Sequence, residues 1–309
     1  MIKSMHILVT GGKGFLGQSV ARHFRQMGFQ VHGIGHGRID QEMLSNYGFH
    51  YWIESGITLD SLKAINIKPD IIFHAGGGGS VQHSYDDPFL DFKKTVESTA
   101  HILEFMKTSS PESKLIYPSS PAAQGNHPPN PIKINAPAMP ISPYGTYKLM
   151  AEQLCSVYRN NFGLKTHIIR FFSIYGDGLK KQLLWDASIR LLQNHENAEF
   201  WGTGKDIRDW IHIDDATRLV ESMALSKKDI PLINGGSGTG HSVSDVLRDL
   251  KEALCSKSKI VFKGEQKRGD PSYYVADLTE AKLLNWSSKV DIHEGILRYS
   301  RWVQKELKK

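Results

Sequence analysis

The sequence predicts an α/β fold, a doubly wound parallel sheet with helices on both faces. Three observations carry that expectation. Short apolar runs alternate with helical patterns through the first half of the chain. The first run opens directly into Gly11-Gly12-Lys13-Gly14-Phe15-Leu16-Gly17. Later runs end in glycine or serine clusters, at the strand edge where open parallel sheets bind ligands.

His6 to Thr10 reads as a buried strand, and a helical pattern follows through Val20, Phe24 and Met27. Strand, glycine loop, helix is the context of a dinucleotide fingerprint. The glycines let the backbone turn tightly and approach a pyrophosphate, which rests on the helix N-terminus. The next strand, Gln30 to Ile34, ends in Gly35-His36-Gly37-Arg38. An acidic residue about 20 positions after the loop would bond the ribose 2′-hydroxyl of NAD(H). Here glycine leaves room for a 2′-phosphate, and His36 or Arg38 can pair with one. The expectation is NADP(H) ahead of NAD(H).

Asp70 to Ala75 is a further apolar strand, running into Gly76-Gly77-Gly78-Gly79. Glycines there permit close approach to a ligand. A long helix is expected from about Pro88 to Lys107, then a strand from Lys114 to Tyr117 ending in Pro118-Ser119-Ser120-Pro121. Residues 126–143 are proline-rich and read as an irregular surface segment or flap. Ser142-Pro143-Tyr144-Gly145-Thr146-Tyr147-Lys148 opens a helix, with Ser142 as cap and Pro143 in the first turn. Tyr144 and Lys148, four apart, share one helix face. A phenol with a pKa of about 10 is a poor base at neutral pH, and a nearby ammonium is expected to lower it. Lys165 to Phe172 completes the strand series.

Composition narrows the function classes. The chain has 309 residues, 40% of them hydrophobic, with a net charge of +6, which suits a small anionic ligand better than a polyanion. No basic stripe with interleaved aromatics suggests a nucleic-acid partner. Cys155 and Cys255 form no metal or disulfide spacing, so no metal and a reducing, cytoplasmic setting are expected. No apolar run reaches the roughly 18 residues of a membrane span, and the N-terminus leaves no room for a signal peptide.

The ordered set Gly11-x-x-Gly14-x-x-Gly17, Ser119-Ser120 and Tyr144-x-x-x-Lys148 resembles the extended short-chain dehydrogenase/reductase family. More narrowly, it is similar to the nucleotide-sugar epimerase, dehydratase and reductase group. Arg170-Phe171-Phe172-Ser173-Ile174-Tyr175-Gly176 extends the likeness. So do Arg208-Asp209-Trp210-Ile211-His212-Ile213-Asp214-Asp215, Asn234 to Gly238, Arg268-Gly269-Asp270 and Ala276-Asp277.

The resemblance implies a Rossmann-type domain over 1–172 plus about 208–235. It also implies a smaller α/β substrate-binding lobe over about 173–207 plus 236–309. Tyr144 would be the general acid/base, Lys148 would hold the nicotinamide ribose, and Ser120 would bond the reacting oxygen. Gly11, Gly14, Phe15, Leu16, Gly17, His36, Arg38, Ala75, Gly76 and Phe171 would complete the cofactor site. Ser119, Ser173, Lys180, Arg208 and Arg268 would join the substrate site, the two arginines on its diphosphate. His212, Asp214 and Asp215 read as structural, and His74 and His101 as packing or surface residues.

Departures from the family pattern narrow the reaction. Pro121 and Ala122 replace the Asp-Glu of 4,6-dehydratases and cannot transfer a proton. Gln124 replaces the motif tyrosine, Thr95 a helix asparagine, Ser173 a diphosphate asparagine, and Gly56 the acidic residue near adenine. The leading expectation is an NADPH-dependent reductase of 4-keto nucleotide sugars. A nucleotide-sugar 4-epimerase is the alternative, and an inactive NADP-sensing module is a third reading from another class. The partner is a nucleotide sugar, and a homodimer is expected by resemblance.

Overall fold

The computed structural model describes residues 5–193, 196–264 and 271–308. The strands in chain order are β1 (His6–Thr10), β2 (Gln30–Gly35), β3 (Tyr51–Glu54), β4 (Ile71–His74), β5 (Lys114–Ser119) and β6 (Lys165–Phe171). There follow β7 (Ser173–Tyr175), β8 (Asn197–Phe200), β9 (Ile207–His212), β10 (Leu232–Gly235), β11 (Gly240–Ser242), β12 (Lys259–Phe262) and β13 (Tyr273–Tyr274).

Seven strands form one parallel sheet in the order β10-β6-β5-β4-β1-β2-β3. Ile7, Leu8 and Val9 are fully buried, as a strand covered on both faces requires. One face carries Val20, Ala21 and Phe24 from the Phe15–Gln26 helix and Leu219, Val220 and Met223 from the Ile213–Leu225 helix. The other carries Leu62, Ile102, Leu103, Met106, Ala151 and Cys155. The valine, leucine, isoleucine, phenylalanine and methionine side chains among them each contribute about 1.5–3 kcal/mol on burial. The chain leaves β1 for β2 on one side and later returns through β4 on the other. That reversal opens a crevice beyond the C-terminal ends of β1 and β4.

A second sheet joins β11, β9 and β13, with β7 also pairing β9, and β8 pairs β12. The Gln182–Leu192, Val243–Ala253 and Ile292–Glu306 helices supply its core with Leu184, Ala187, Leu247, Leu250, Ile296 and Tyr299.

The structure redraws four expectations. The Pro88–Lys107 helix is three pieces: an α-helix at Pro88–Phe92, a π-helical turn at Lys93–Glu97 and an α-helix at Ser98–Ser109. The 208–235 segment divides, because β9 pairs in the smaller sheet while the following helix and β10 join the large one. Asp209 drives that division: its buried carboxylate accepts the backbone N–H groups of Ser237, Gly238 and Ala276 at 2.6, 2.9 and 3.1 Å. The 236–309 segment is also shared, since Ala281 and Trp286 lie in the core of the large sheet. The 126–143 segment is tied down: Ile132 is buried and its N–H donates to the Val275 carbonyl at 2.8 Å.

Candidate active site

Gly11 and Gly17 form a cradle that side chains would fill. Gly11 has φ +63°, and a Cβ there would lie 2.6 Å from the Ala75 carbonyl group. A Cβ on Gly17 would lie 2.5 Å from the Gly11 oxygen. Gly14 precedes the Phe15–Gln26 helix and places no side chain over its free N–H groups. Opposite, the Gly76 N–H donates to Thr10 Oγ1 at 3.0 Å, and the Gly78 N–H to Thr95 Oγ1 at 3.0 Å. Thr10 is held by His74 Nδ1 at 2.7 Å, and Ser98 Oγ lies 3.2 Å from His74 Nε2. Burial pushes the His74 imidazole down to about 3, so this relay is neutral. Two glycine loops braced from behind, facing a bare helix N-terminus, fit the pyrophosphate of a dinucleotide.

Beside the second loop, Ser142 Oγ accepts the Gly145 N–H at 3.1 Å and starts the Pro143–Phe162 helix. The Tyr144 N–H donates to Ser84 Oγ at 3.0 Å, and the phenol faces the Ser120 hydroxyl. Lys148 Nζ donates to the Pro118 carbonyl at 3.0 Å and lies 5.8 Å from the Tyr144 ring centroid. This corrects the simple expectation for the phenol. Desolvation outweighs the effect of the Ser120 hydroxyl, and the Asp91 charge adds to it, pushing Tyr144 up to about 12. Burial also pushes Lys148 down to about 8, against the pull of Asp91 and Glu152. At neutral pH the pair is therefore phenol and ammonium.

A third corner closes the crevice at the ends of β2 and β3. His36 and Arg38 are exposed, and Arg38 Nε pairs with Glu54 Oε2 at 3.3 Å. Lys13 Nζ approaches the Arg38 carbonyl at 3.4 Å. Gly35 and Glu54 are register partners. The carboxylate missing from the end of β2 thus stands one strand over. Among the described residues, no group of three or more His, Cys, Asp or Glu could hold a metal ion.

Comparison with known proteins agrees with this geometry. A family model described as the NAD dependent epimerase/dehydratase family matches residues 7–233. The chain belongs to that family. It is an extended short-chain dehydrogenase/reductase of the nucleotide-sugar epimerase group. A putative UDP-glucose 4-epimerase of Methanocaldococcus jannaschii is 25% identical, over 96% of this chain and 98% of its own length. The crystal structure of Thermotoga maritima UDP-glucose 4-epimerase with UDP-glucose superposes with a TM-score of 0.89 at 28% identity, covering 98% of this chain and all of that one. Bacillus cereus UDP-glucuronic acid 4-epimerase, in complex with UDP-glucuronic acid and NAD, matches with a TM-score of 0.89 at 25% identity over 98% of this chain and all of that one.

Of the site residues read from the family motifs, Gly11, Gly14, Gly17, Ala75, Gly76, Ser120, Tyr144 and Lys148 lie on loops and a helix start around one strand edge. Leu16 packs into the large core, and Phe15 against the core of the smaller lobe. Phe171 is buried at the end of β6, and Ser173 begins β7. Ser119 turns inward: its hydroxyl donates to Glu152 Oε1 at 2.5 Å, because Glu152 and Arg170 form a buried ion pair directly behind it. Lys180 turns outward, pairing with Glu306 at 2.7 Å. Arg208 lies on β9, with Nη1 donating to the Ile207 carbonyl at 3.0 Å. Arg268 lies outside the described residues. His212 caps the helix of Asp214 and Asp215, and Asp215 accepts the Lys289 and Val290 N–H groups, as structural residues do. Motif reading missed Thr10, Asp91 and Glu152, whose roles depend on partners distant in the chain.

Proposed function

We propose that this protein is a UDP-sugar 4-epimerase that retains its nicotinamide cofactor through the cycle. The meeting of Ser120, Tyr144 and Lys148 at the glycine-loop edge carries the reading, in a chain whose relatives are named for 4-epimerisation. Gly11, Gly14, Gly17, Ala75 and Gly76 would cradle the pyrophosphate, with Phe15, Leu16 and Phe171 shaping the cleft. Ser120 and Tyr144 would share the C4 oxygen of the sugar. Tyr144 takes the hydroxyl proton on one half-cycle and returns it on the other. A bound oxidised nicotinamide would supply a reversible hydride acceptor for C4 and a positive charge that favours the phenolate. Lys148 holds the ribose and adds a second positive charge. Arg208 and Arg268 would grip the diphosphate in bidentate fashion.

The reductase reading takes second place. It rested on His36 and Arg38 as partners for a 2′-phosphate, and the Arg38–Glu54 pair sets a carboxylate beside them. Glu54 is suited to accept a ribose 2′-hydroxyl, which supports NAD(H). A homodimer is part of the same proposal, through the exposed Phe89, Leu90, Val157 and Phe162 on two neighbouring helices. Among the described residues no helix is long and apolar enough to cross a membrane.

The test is incubation of the purified protein with UDP-glucose, UDP-galactose and their uronic acids, without added cofactor. The expected result is interconversion of C4 epimers with no net NAD(P)H change, and release of stoichiometric NAD(H) on denaturation. Strict dependence on added NADPH, with its consumption, would replace the epimerase by the reductase.

A further inference from the structure

We propose that Asp91 is a positioning residue for this site: its carboxylate holds the Lys148 ammonium in place beside Tyr144. The proposal rests on the reading of Tyr144 and Lys148 as the acid/base pair. Asp91 lies in the short Pro88–Phe92 helix, just before the π-helical turn of Lys93–Glu97. It is 7% exposed, and its Oδ2 is buried with no hydrogen-bond partner among the described residues. A buried carboxylate oxygen with an unmade hydrogen bond is costly, so something other than stability keeps it there.

The surroundings point to Lys148. A Cβ on Gly78 would collide with the Asp91 carboxylate. A Cβ on Gly77, one residue earlier, would lie 3.6 Å from Thr95 Oγ1 and 3.9 Å from Lys148 Nζ. Asp91 and Lys148 therefore lie alongside consecutive glycines of one loop. Their helices are locked together next door, where Phe92 meets Tyr147 edge-on at 5.7 Å. The π turn matters because its extra residue rotates the helix beyond it. Thr95 then reaches the Gly78 N–H while Asp91 stays beneath the loop.

Charge accounting leaves Asp91 as the available counterion. Lys148 faces Glu152 on its own helix, His74 on β4, Tyr117 on β5 and Asp91. Glu152 is committed to Arg170 by two hydrogen bonds of 2.9 and 2.6 Å, and to Ser119. His74 is neutral, and burial keeps Tyr117 a phenol. Around Asp91 itself stand Lys94 on the π turn and Lys148 and Tyr144 on the long helix. Burial raises the Asp91 carboxyl and lowers Lys148, and each charge opposes the other's shift. Asp91 also disfavours the Tyr144 phenolate. Its removal should therefore lower the pKa values of both Lys148 and Tyr144.

The test is the pH dependence of kcat/KM for Asp91→Asn. Loss of the Lys148 ammonium sets the alkaline limb, so that limb should move down by about one pH unit. With each enzyme normalised to its own plateau, that is a roughly fivefold deficit at pH 8 against the parent. Asp91→Glu, which keeps the charge, should restore the limb towards its original place. A limb unmoved in Asp91→Asn, with activity lowered evenly or not at all, overturns the proposal. Should Asp91→Asn fail to fold, carboxylate ¹³C NMR of the unaltered protein decides. The Asp91 Cγ shift should respond as Lys148 titrates near pH 8, and a flat response there overturns the proposal. The NMR reading is independent of turnover. It therefore separates a failure of this inference from a failure of the epimerase reading, which Tyr144→Phe with undiminished activity would produce.

Discussion

Two corners of the crevice each bring a cation near a carboxylate, and they differ in their water. At the ends of β2 and β3, the Arg38 side chain is 94% exposed and Glu54 48% exposed. Under the second glycine loop, Lys148 and Asp91 are both 7% exposed. In water a pair like the first contributes about 0–1 kcal/mol, and salt screens it. In the second, the same charges interact through a poorly screening medium, and burial moves both ionisations. The wet corner can bias which dinucleotide binds. On the proposed reading, the dry corner would control whether a proton moves.

The sharpest way to break that contrast is Tyr144→Phe. We expect kcat to fall about 10³-fold with thermal stability unchanged, since general acid–base catalysis contributes 10²–10⁴-fold. Steady-state epimerisation and a melting curve check both halves. Arg170→Met strands the Glu152 carboxylate in the interior, and denaturant unfolding should show a loss of about 3–5 kcal/mol. A pH series sharpens the dry end further. Lys148 has its pKa lowered from 10.5 to about 8, so activity should be full below pH 8 and fall above it. Between about pH 8 and 10.5 the unfolded chain binds the extra proton, so this lysine's contribution to stability rises with pH. Comparing the stability profiles of the parent and Lys148→Met isolates that slope, which runs opposite to activity. The smallest effect belongs to the wet corner. Glu54→Gln should shift preference towards NADP(H) by no more than about fivefold, measured as the ratio of the two dissociation constants.

Much of this was legible in the residues, for identifiable reasons. Buried parallel strands are unbroken apolar runs, so β1, β4 and β6 announce themselves. Ser142 and Pro143 mark a helix start by local chemistry alone, and the helix begins there. What stayed hidden depends on distant partners. Asp209 looks like any polar residue in Arg208-Asp209-Trp210, yet it gathers N–H groups from two remote loops and pulls β9 into the smaller sheet. Ser119 sits beside Ser120, but strand alternation turns its hydroxyl to Glu152, far along the chain. Asp91 was obscured by its setting, because Asp86-Asp87-Pro88 reads as a helix cap and the π turn beyond it has no sequence signature. The direction of the Tyr144 shift was missed because spacing reveals a neighbouring charge but not the loss of solvent.

Phe15 opens the first helix of the large sheet, inside the glycine loop, yet its ring packs against the core of the smaller lobe, and a Cβ on Gly178 would lie 3.6 Å from it. The glycine loop and the smaller lobe are thereby pinned by one aromatic wedge. Swinging the halves apart would mean withdrawing that ring from its apolar seat, so on the proposed reading a latch that admitted a sugar would also retard escape of a dinucleotide beneath it.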